Sequence, residues 1–129
     1  MTIKIPISIG ELVDKLTILE IKKIKIVDEV KKVSIIKEFE LLQEILLKSE
    51  IFKKKEYSLF YEQLIKINLK LWETEDKIRI FEKNRCFDSE FVKLARSVYK
   101  LNDKRFKIKN EINNFFGSEI AEQKEYEDY

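Results

Sequence analysis

The segment Phe87–Gly117, FDSEFVKLARSVYKLNDKRFKIKNEINNFFG, has the periodicity of one long α-helix and decides the fold class. At about 100° per residue, it carries a wide apolar stripe centred on Val98. The other members of this stripe are Phe91, Leu94, Ala95, Leu101, Ile112 and Phe116. Asp88 or Ser89 is a suitable N-cap, and Gly117 is a suitable residue just beyond the C-terminus. We therefore predict a helix that packs this stripe against a core.

Four polar residues, Asn102, Arg105, Lys109 and Asn113, interrupt the stripe in its second half. Burying an isolated charge costs roughly several kcal/mol of folding free energy. These four side chains therefore need a partner, a ligand or access to water. Arg105 and Lys109 also have stems long enough to reach solvent from a buried backbone position. The interruption is the main functional signal in the sequence.

Composition restricts the class of protein around this helix. The chain has 129 residues, of which 44% are hydrophobic, and this is enough for a single domain with its own core. It contains only two glycines and one proline, which favours a nearly all-helical protein with short connections. The net charge of +2 gives no general attraction to nucleic acid or to an anionic membrane.

The rare residue types exclude several kinds of chemistry. The chain has no histidine, which excludes imidazole acid–base catalysis and histidine metal sites. Its single cysteine, Cys86, excludes an intramolecular disulfide and a cysteine zinc site. No apolar run has the length of a bilayer span, and the N-terminus lacks a signal-peptide core. We expect a cytoplasmic protein without a membrane span.

We predict one all-α domain over residues 1–129, a four-helix bundle of long antiparallel helices. An extended arm at residues 1–9 precedes the helices, and a polar tail at residues 118–129 follows them as an exposed, partly disordered segment. The expected helices run from Ser8 to about Val27, from Asp28 to Ser49, from Tyr57 to Lys83 and from Phe87 to Gly117. The arm either lies over an apolar groove or pairs with a partner chain. Apolar residues on two faces of the first and third helices favour a central position or a homodimer.

Three of these helices place polar residues in otherwise apolar arcs. These residues are Glu20, Lys23, Asn68, Glu75, Asn102, Arg105, Lys109 and Asn113. One hypothesis is a closed network in which Glu20 and Glu75 pair with Arg105 and Lys109. The other is a pocket with a spare positive charge, suited to a small carboxylate or phosphate.

Acidic pairs at i and i+3 offer a metal-dependent alternative. Glu11 and Asp14 lie on one helical face, as do Glu73 and Asp76. Two such pairs on facing helices would hold Mg²⁺ or Mn²⁺ through oxygen ligands. They resemble the ExxE and ExxD pairs of all-α nucleotide pyrophosphohydrolases. The mixture of cations and a glutamate is also similar to that of an all-helical chorismate mutase, at the level of the fold. Apart from this alternative, the sequence predicts no cofactor.

A wider resemblance covers nearly the whole chain. The segments that carry it are IPISIGELVDKLTILEIK at 5–22, LWETEDKIR at 71–79, FDSEFVKLARSVYKLNDKRFKIKNEIN at 87–113 and GSEIAEQKEY at 117–126. Together they resemble an uncharacterised bacterial and phage family of small helical domains, some of which accompany glycosyltransferase-like or tetratricopeptide modules. The matching positions are Glu11, Asp14, Lys15, Thr17, Glu20, Trp72, Glu75, Asp76, Arg79, Arg96, Asn102, Asp103, Arg105 and Lys109.

The resemblance implies a setting in surface-glycan biosynthesis and no particular activity. From it and from the polar layer we expect an interaction or small-anion-binding domain that has a protein partner in glycan assembly. An enzyme of the pyrophosphohydrolase or mutase kind is the alternative.

Overall fold

The computed structural model describes residues 1–129 and contains four α-helices and no strand. The helices are α1 (Ile9–Lys25), α2 (Glu29–Lys48), α3 (Lys55–Lys83) and α4 (Ser89–Phe116), and a short 3₁₀ turn, Ile51–Lys53, lies between α2 and α3. The predicted all-α, bundle-like class is therefore confirmed. None of the helices combines the length and the apolar character that a membrane span requires.

The helix ends follow from local capping chemistry. The Ser8 hydroxyl accepts a hydrogen bond from the amide of Glu11, and the Asp28 carboxylate accepts one from the amide of Lys31. Asp88 accepts the amide of Phe91 in the same way, and this confirms it as the N-cap of α4. Gly117 ends α4 in the left-handed conformation with φ 66°, which costs a glycine little. Each predicted helix boundary lies within about two residues of the observed one, as is usual for helix ends.

The core is divided between two sides of α1. One cluster consists of Leu12 and Leu16 of α1 with Leu46 of α2. The other joins Val13 of α1 to Leu64 of α3 and Ile112 of α4, and all three of these side chains are fully buried. The helix α1 thus occupies the central position that its two apolar faces suggested. The face opposite Leu16 is covered by α4 of the same chain.

The arm and the tail have no regular secondary structure. In the arm, Ile7 packs against the first core cluster, whereas Ile3 and Ile5 remain exposed, so only the end of the arm lies over the bundle. The tail is largely exposed, as predicted, but it is attached to α4. The carboxylate of Glu122 binds Lys109, and the ring of Tyr129 packs edge-on against Tyr99.

Candidate functional site

A buried ion pair between α1 and α4 forms the centre of the polar layer. Asp14 of α1 has a fully buried side chain, and Arg105 of α4 binds both of its oxygens. The guanidinium Nε donates to Oδ1 at 2.9 Å, and Nη2 donates to Oδ2. These hydrogen bonds raise the pKa of the Arg105 guanidinium, although burial opposes the shift. Such two-point contacts fix the orientation of the guanidinium plane.

Asn68 of α3 completes the contacts of this pair. Its Nδ2 donates to Asp14 Oδ1 and to Thr17 Oγ1, both at 2.9 Å. The Thr17 hydroxyl donates in turn to the backbone oxygen of Asp14 at 2.7 Å. No buried side-chain nitrogen or oxygen in the protein lacks a hydrogen-bond partner. Every fully buried polar side-chain atom of this centre therefore has a partner within the chain.

Lys109 extends the network towards the tail. Its Nζ lies 2.8 Å from Glu11 Oε2, 3.0 Å from Glu122 Oε2 and 4.0 Å from Asp14 Oδ2. Burial lowers the pKa of the Lys109 ammonium, but the hydrogen bonds to Glu11 and Glu122 outweigh burial and leave that pKa raised. The hydrogen bond from Lys109 lowers the pKa of the Glu122 carboxyl. Lys109 is thus held as a cation by carboxylates from α1 and from the tail.

Gly10 sets the distance between α1 and α4 at this level. A Cβ at this position would lie 2.5 Å from the backbone oxygen of Lys109, which is closer than real contacts allow. The Gly10 amide also donates to the Asn113 Oδ1 at 2.7 Å, and Asn113 is buried. Only glycine permits this approach, and the approach brings Asp14 within reach of Arg105.

The predicted partners of Arg105 and Lys109 were wrong. Glu75 lies near Arg79, at 3.6 Å from its Nη2, and is 44% exposed. Glu20 accepts a hydrogen bond from the Tyr61 hydroxyl at 3.3 Å and lies 3.9 Å from Lys23 Nζ. Periodicity places a residue on a face of its own helix, and it does not give the rotation of one helix relative to another. The polar layer exists, but Asp14 and Glu11 supply the carboxylates.

The predicted spare positive charge is also absent from the buried layer, because Arg105 and Lys109 are both neutralised by carboxylates. The metal alternative is not supported by the arrangement of the four acids. Glu11 and Asp14 bind the cations of α4, and Glu73 is exposed on α3. No group of three or more Asp, Glu, Cys or His side chains is placed to hold a metal ion.

An open cavity adjoins the buried pair between α1, α3 and α4. It has a volume of about 470 Å³. Its walls contain Ile18, Ile21, Asn68, Leu71, Trp72, Glu75, Asp76, Arg79, Asn102 and Arg105. Four of the eight residues predicted for the polar layer, Asn68, Glu75, Asn102 and Arg105, line this cavity. Of the other four, Lys109 and Asn113 are buried beside Gly10, while Glu20 and Lys23 lie on another side of α1.

Arg105 connects the buried network with the cavity. Its Nε and Nη2 bind Asp14, which leaves Nη1 as a free donor, and 27% of its side chain is exposed. Arg79 is 77% exposed at the same cavity. A ligand in the cavity would therefore meet one guanidinium held by a buried carboxylate and one that is largely exposed.

Comparison with known protein families gives a match to the family of unknown function DUF6165 over residues 3–129. The chain belongs to this family. Comparisons with curated proteins and with solved structures find no match. Membership of DUF6165 agrees with the predicted resemblance to an uncharacterised family, and it assigns no activity to the cavity.

Three residues of the site, Asp14, Thr17 and Trp72, were missed or misassigned from the sequence. Asp14 was assigned to a metal site, and Thr17 was not included in the polar layer. A signal was available, since Gly10, Asp14, Thr17 and Ile21 fall on one arc of α1 with spacings of about four, three and four residues. That arc combines a glycine with small polar residues, a pattern typical of close contact with another helix. Trp72, which lies in the cavity wall, was named among the positions of the family resemblance and not as a member of the polar layer.

Proposed function

We propose that this protein is a helical binding domain, accessory to surface-glycan biosynthesis, that holds a small polar ligand in the cavity between α1, α3 and α4. The observation that carries the proposal is the position of Trp72 in the wall of an open cavity beside charged and amide side chains. Its volume of about 470 Å³ falls within the usual range for small-molecule sites. The glycan setting is supported by the sequence resemblance to domains that accompany glycosyltransferase-like modules.

The chemistry of the walls favours a saccharide. One face of a sugar ring consists of C–H groups that pack against an indole, while its hydroxyls both donate and accept hydrogen bonds. Glu75 and Asp76 would accept from hydroxyls, and Asn102 would both donate and accept. Because both guanidinium groups already lie beside carboxylates, a neutral polyhydroxylated ligand fits the charge of the cavity well.

A small anion is the second candidate. The free Nη1 of Arg105 and the exposed Arg79 favour a carboxylate or a phosphate. Glu75 and Asp76 oppose such a ligand, so the anion would bind best as a substituent of a sugar ring. The two candidates therefore differ in whether a free anion is sufficient for binding.

Trp72 provides the experiment, because it is the only tryptophan in the chain. We expect glucose or glucuronate to change its fluorescence in a saturable manner, and inorganic phosphate alone to have little effect. The Asp76→Asn variant should bind the sugar more weakly by about tenfold, the effect of losing one charged hydrogen bond. The Glu73→Gln variant is a matched control, since Glu73 is exposed and does not line the cavity.

Calorimetry with the same three compounds would detect binding that leaves the fluorescence unchanged. Saturable binding of phosphate with the same affinity as glucuronate would favour the anion candidate. Absence of binding by all three compounds in both measurements would contradict the proposal.

The proposal includes a homodimer in the cytoplasm that also has a protein partner in glycan assembly. The dimer is supported by exposed apolar side chains on α2, where Val30 is 80%, Val33 is 68% and Ile45 is 57% exposed. Light scattering should give twice the chain mass for the wild type and a smaller mass for Val33→Lys. A monomeric wild type at high concentration would contradict the dimer, and cell fractionation tests the location.

A further inference from the structure

A second cavity, on the other side of α1, has a different chemical character. It lies between α1, α2, the 3₁₀ turn and α3, and its volume is about 320 Å³. Four aromatic rings contribute to its walls, namely those of Phe39, Phe52, Tyr57 and Tyr61. Glu20 is the only charged residue among the ten residues that line it. An apolar, aromatic cavity therefore contains a single carboxylate.

This combination is suited to a positively charged organic group. The face of an aromatic ring carries partial negative charge and attracts an ammonium ion, and the attraction grows as water is excluded. A carboxylate among the rings adds charge pairing and disfavours anions. Methylated ammonium groups are especially suitable, because their apolar surface packs against the rings while their charge is retained.

The protein itself shows that an ammonium is bound at the edge of this cavity. The Lys23 Nζ lies 3.9 Å from the centroid of the Phe39 ring and 3.9 Å from Glu20 Oε2. Both partners of this ammonium belong to the cavity wall, whereas Lys23 itself does not line it. About one third of the Lys23 side chain is exposed (33%), so its flexible stem has access to solvent. Lys23 therefore places an ammonium against one ring and the one carboxylate of the cavity wall.

The carboxylate is oriented by a tyrosine. The Tyr61 hydroxyl donates to Glu20 Oε2 at 3.3 Å, and this contact leaves Oε1 for a ligand. Burial, followed by the nearby negative charge of Glu20, raises the pKa of Tyr61. Tyr61 therefore stays protonated over the physiological range and keeps its hydrogen bond to Glu20.

We propose that this cavity binds an organic ammonium compound with a methylated or alkylated nitrogen, and that Lys23 occupies the position of its charge in the free protein. The site is separate from the cavity that contains Trp72, on the opposite side of α1. The inference therefore does not depend on the function proposed for that other cavity.

Choline is a suitable probe. The matched control ligand is its neutral isostere, in which a carbon atom replaces the quaternary nitrogen. Nuclear magnetic resonance titrations at constant ionic strength should show saturable shifts of residues around Phe39 and Tyr57 with choline. We expect the neutral isostere to bind more weakly by about tenfold, because it has the same shape without the charge. Equal binding of the two compounds, or no saturable shift with choline, would overturn the proposal without the need for any variant.

Two variants test the roles of the charged residues. Lys23→Met should strengthen choline binding by about fivefold, because it removes the competing ammonium but keeps an apolar side chain. Lys22→Met, which makes the same change of charge one residue away, is the control and should leave the affinity unchanged. Glu20→Gln should weaken binding by about tenfold. If Lys23→Met and Lys22→Met bind choline equally, Lys23 does not compete for the site, and this part of the proposal fails.

The fluorescence of Trp72 distinguishes the two cavities. Choline should leave this emission unchanged, since Trp72 lines only the other cavity. Shifts confined to residues near Trp72 would show that choline binds at the other site, and this result would also overturn the proposal.

Discussion

Arg105 and Asp14 are 91 residues apart in the sequence, yet their side chains form a two-point ion pair between α4 and α1. The Asp14 side chain is fully buried, and the Arg105 side chain is 27% exposed and lines the open cavity. The pair therefore has two roles in the structure. It neutralises a charge inside the helical core, and it holds one guanidinium of the cavity in a fixed orientation. The first prediction follows from its burial.

Asp14→Asn should destabilise the protein by about 3 kcal/mol, because it breaks a buried ion pair. This value is at the lower end of the usual cost, since the Arg105 side chain is partly exposed. Glu75→Gln should cost less than about 0.5 kcal/mol, since the Glu75–Arg79 pair is largely exposed. Urea unfolding of both variants provides the measurement. The closed network predicted from the sequence, with Glu75 as a partner, requires a large effect of Glu75→Gln instead.

Gly10→Ala should cost about 2 kcal/mol, because the added methyl group would push α1 away from the Lys109 carbonyl. It should also loosen the hydrogen bond between the Gly10 amide and Asn113. Thermal unfolding measures the loss of stability, and hydrogen exchange of the Gly10 amide reports the local contact. Gly117→Asn is a useful comparison, since nothing lies within 4 Å of a Cβ there and asparagine tolerates a positive φ. An alanine at position 10 with wild-type stability would show that the two helices pack less closely.

Attachment of the tail should depend on pH through Glu122. In the folded protein the pKa of the Glu122 carboxyl is lowered, mainly by the hydrogen bond from Lys109. The carboxylate therefore stabilises the fold fully above its ordinary pKa of 4.5, and this contribution is lost as the pH falls through the lowered pKa. Glu122→Gln should therefore reduce stability at pH 7 and have little effect in strong acid. The difference should stay below about 1 kcal/mol, because the Glu122 side chain is 38% exposed. Unfolding curves at several pH values test this, with Glu125→Gln as the control. A difference between wild type and Glu122→Gln that does not change with pH would contradict the assignment.

The tyrosines of the aromatic cavity should resist ionisation. Burial raises the pKa of Tyr57 from 10.0 to about 12. As the pH rises, the Tyr57 hydroxyl ionises in the unfolded chain before it ionises in the folded protein. The contribution of Tyr57 to stability is therefore complete below pH 10 and is lost as the pH rises towards 12. Absorbance titration of the wild type should contain a late component that Tyr57→Phe removes. If Tyr57→Phe removes a component near pH 10 instead, the hydroxyl is accessible to water and the cavity wall is more open.

Much of the fold follows from short-range chemistry. Three helices have N-caps whose side chains accept a hydrogen bond from the amide three residues later, namely Ser8, Asp28 and Asp88. Gly117 ends α4 in the left-handed conformation. The helical spacing of apolar residues is sufficient to indicate buried positions such as Leu12, Leu16 and Leu64, because a helix turns by a fixed angle per residue. The same periodicity placed Arg105 and Lys109 on an inner face. The caps, the extent of each helix and its inner face depend on one helix at a time, so the sequence predicts them. Burial along the α4 stripe does not follow in the same way, since Ala95 is exposed and only Ile112 of that stripe is buried.

The partners of those cations depend on more than one helix. Whether Arg105 meets Glu75 or Asp14 is set by the rotation and axial position of α4 relative to α1 and α3, which short-range periodicity does not contain. The close contact of Gly10 with the Lys109 carbonyl fixes the rotation and axial position of α4 relative to α1. This placement brings Arg105 to Asp14. The sequence by itself therefore determined the helices, their caps and the presence of an inner polar layer. Only the tertiary packing decided that the layer is sealed around Asp14 and open beside Trp72, because that depends on how the three helices fit together.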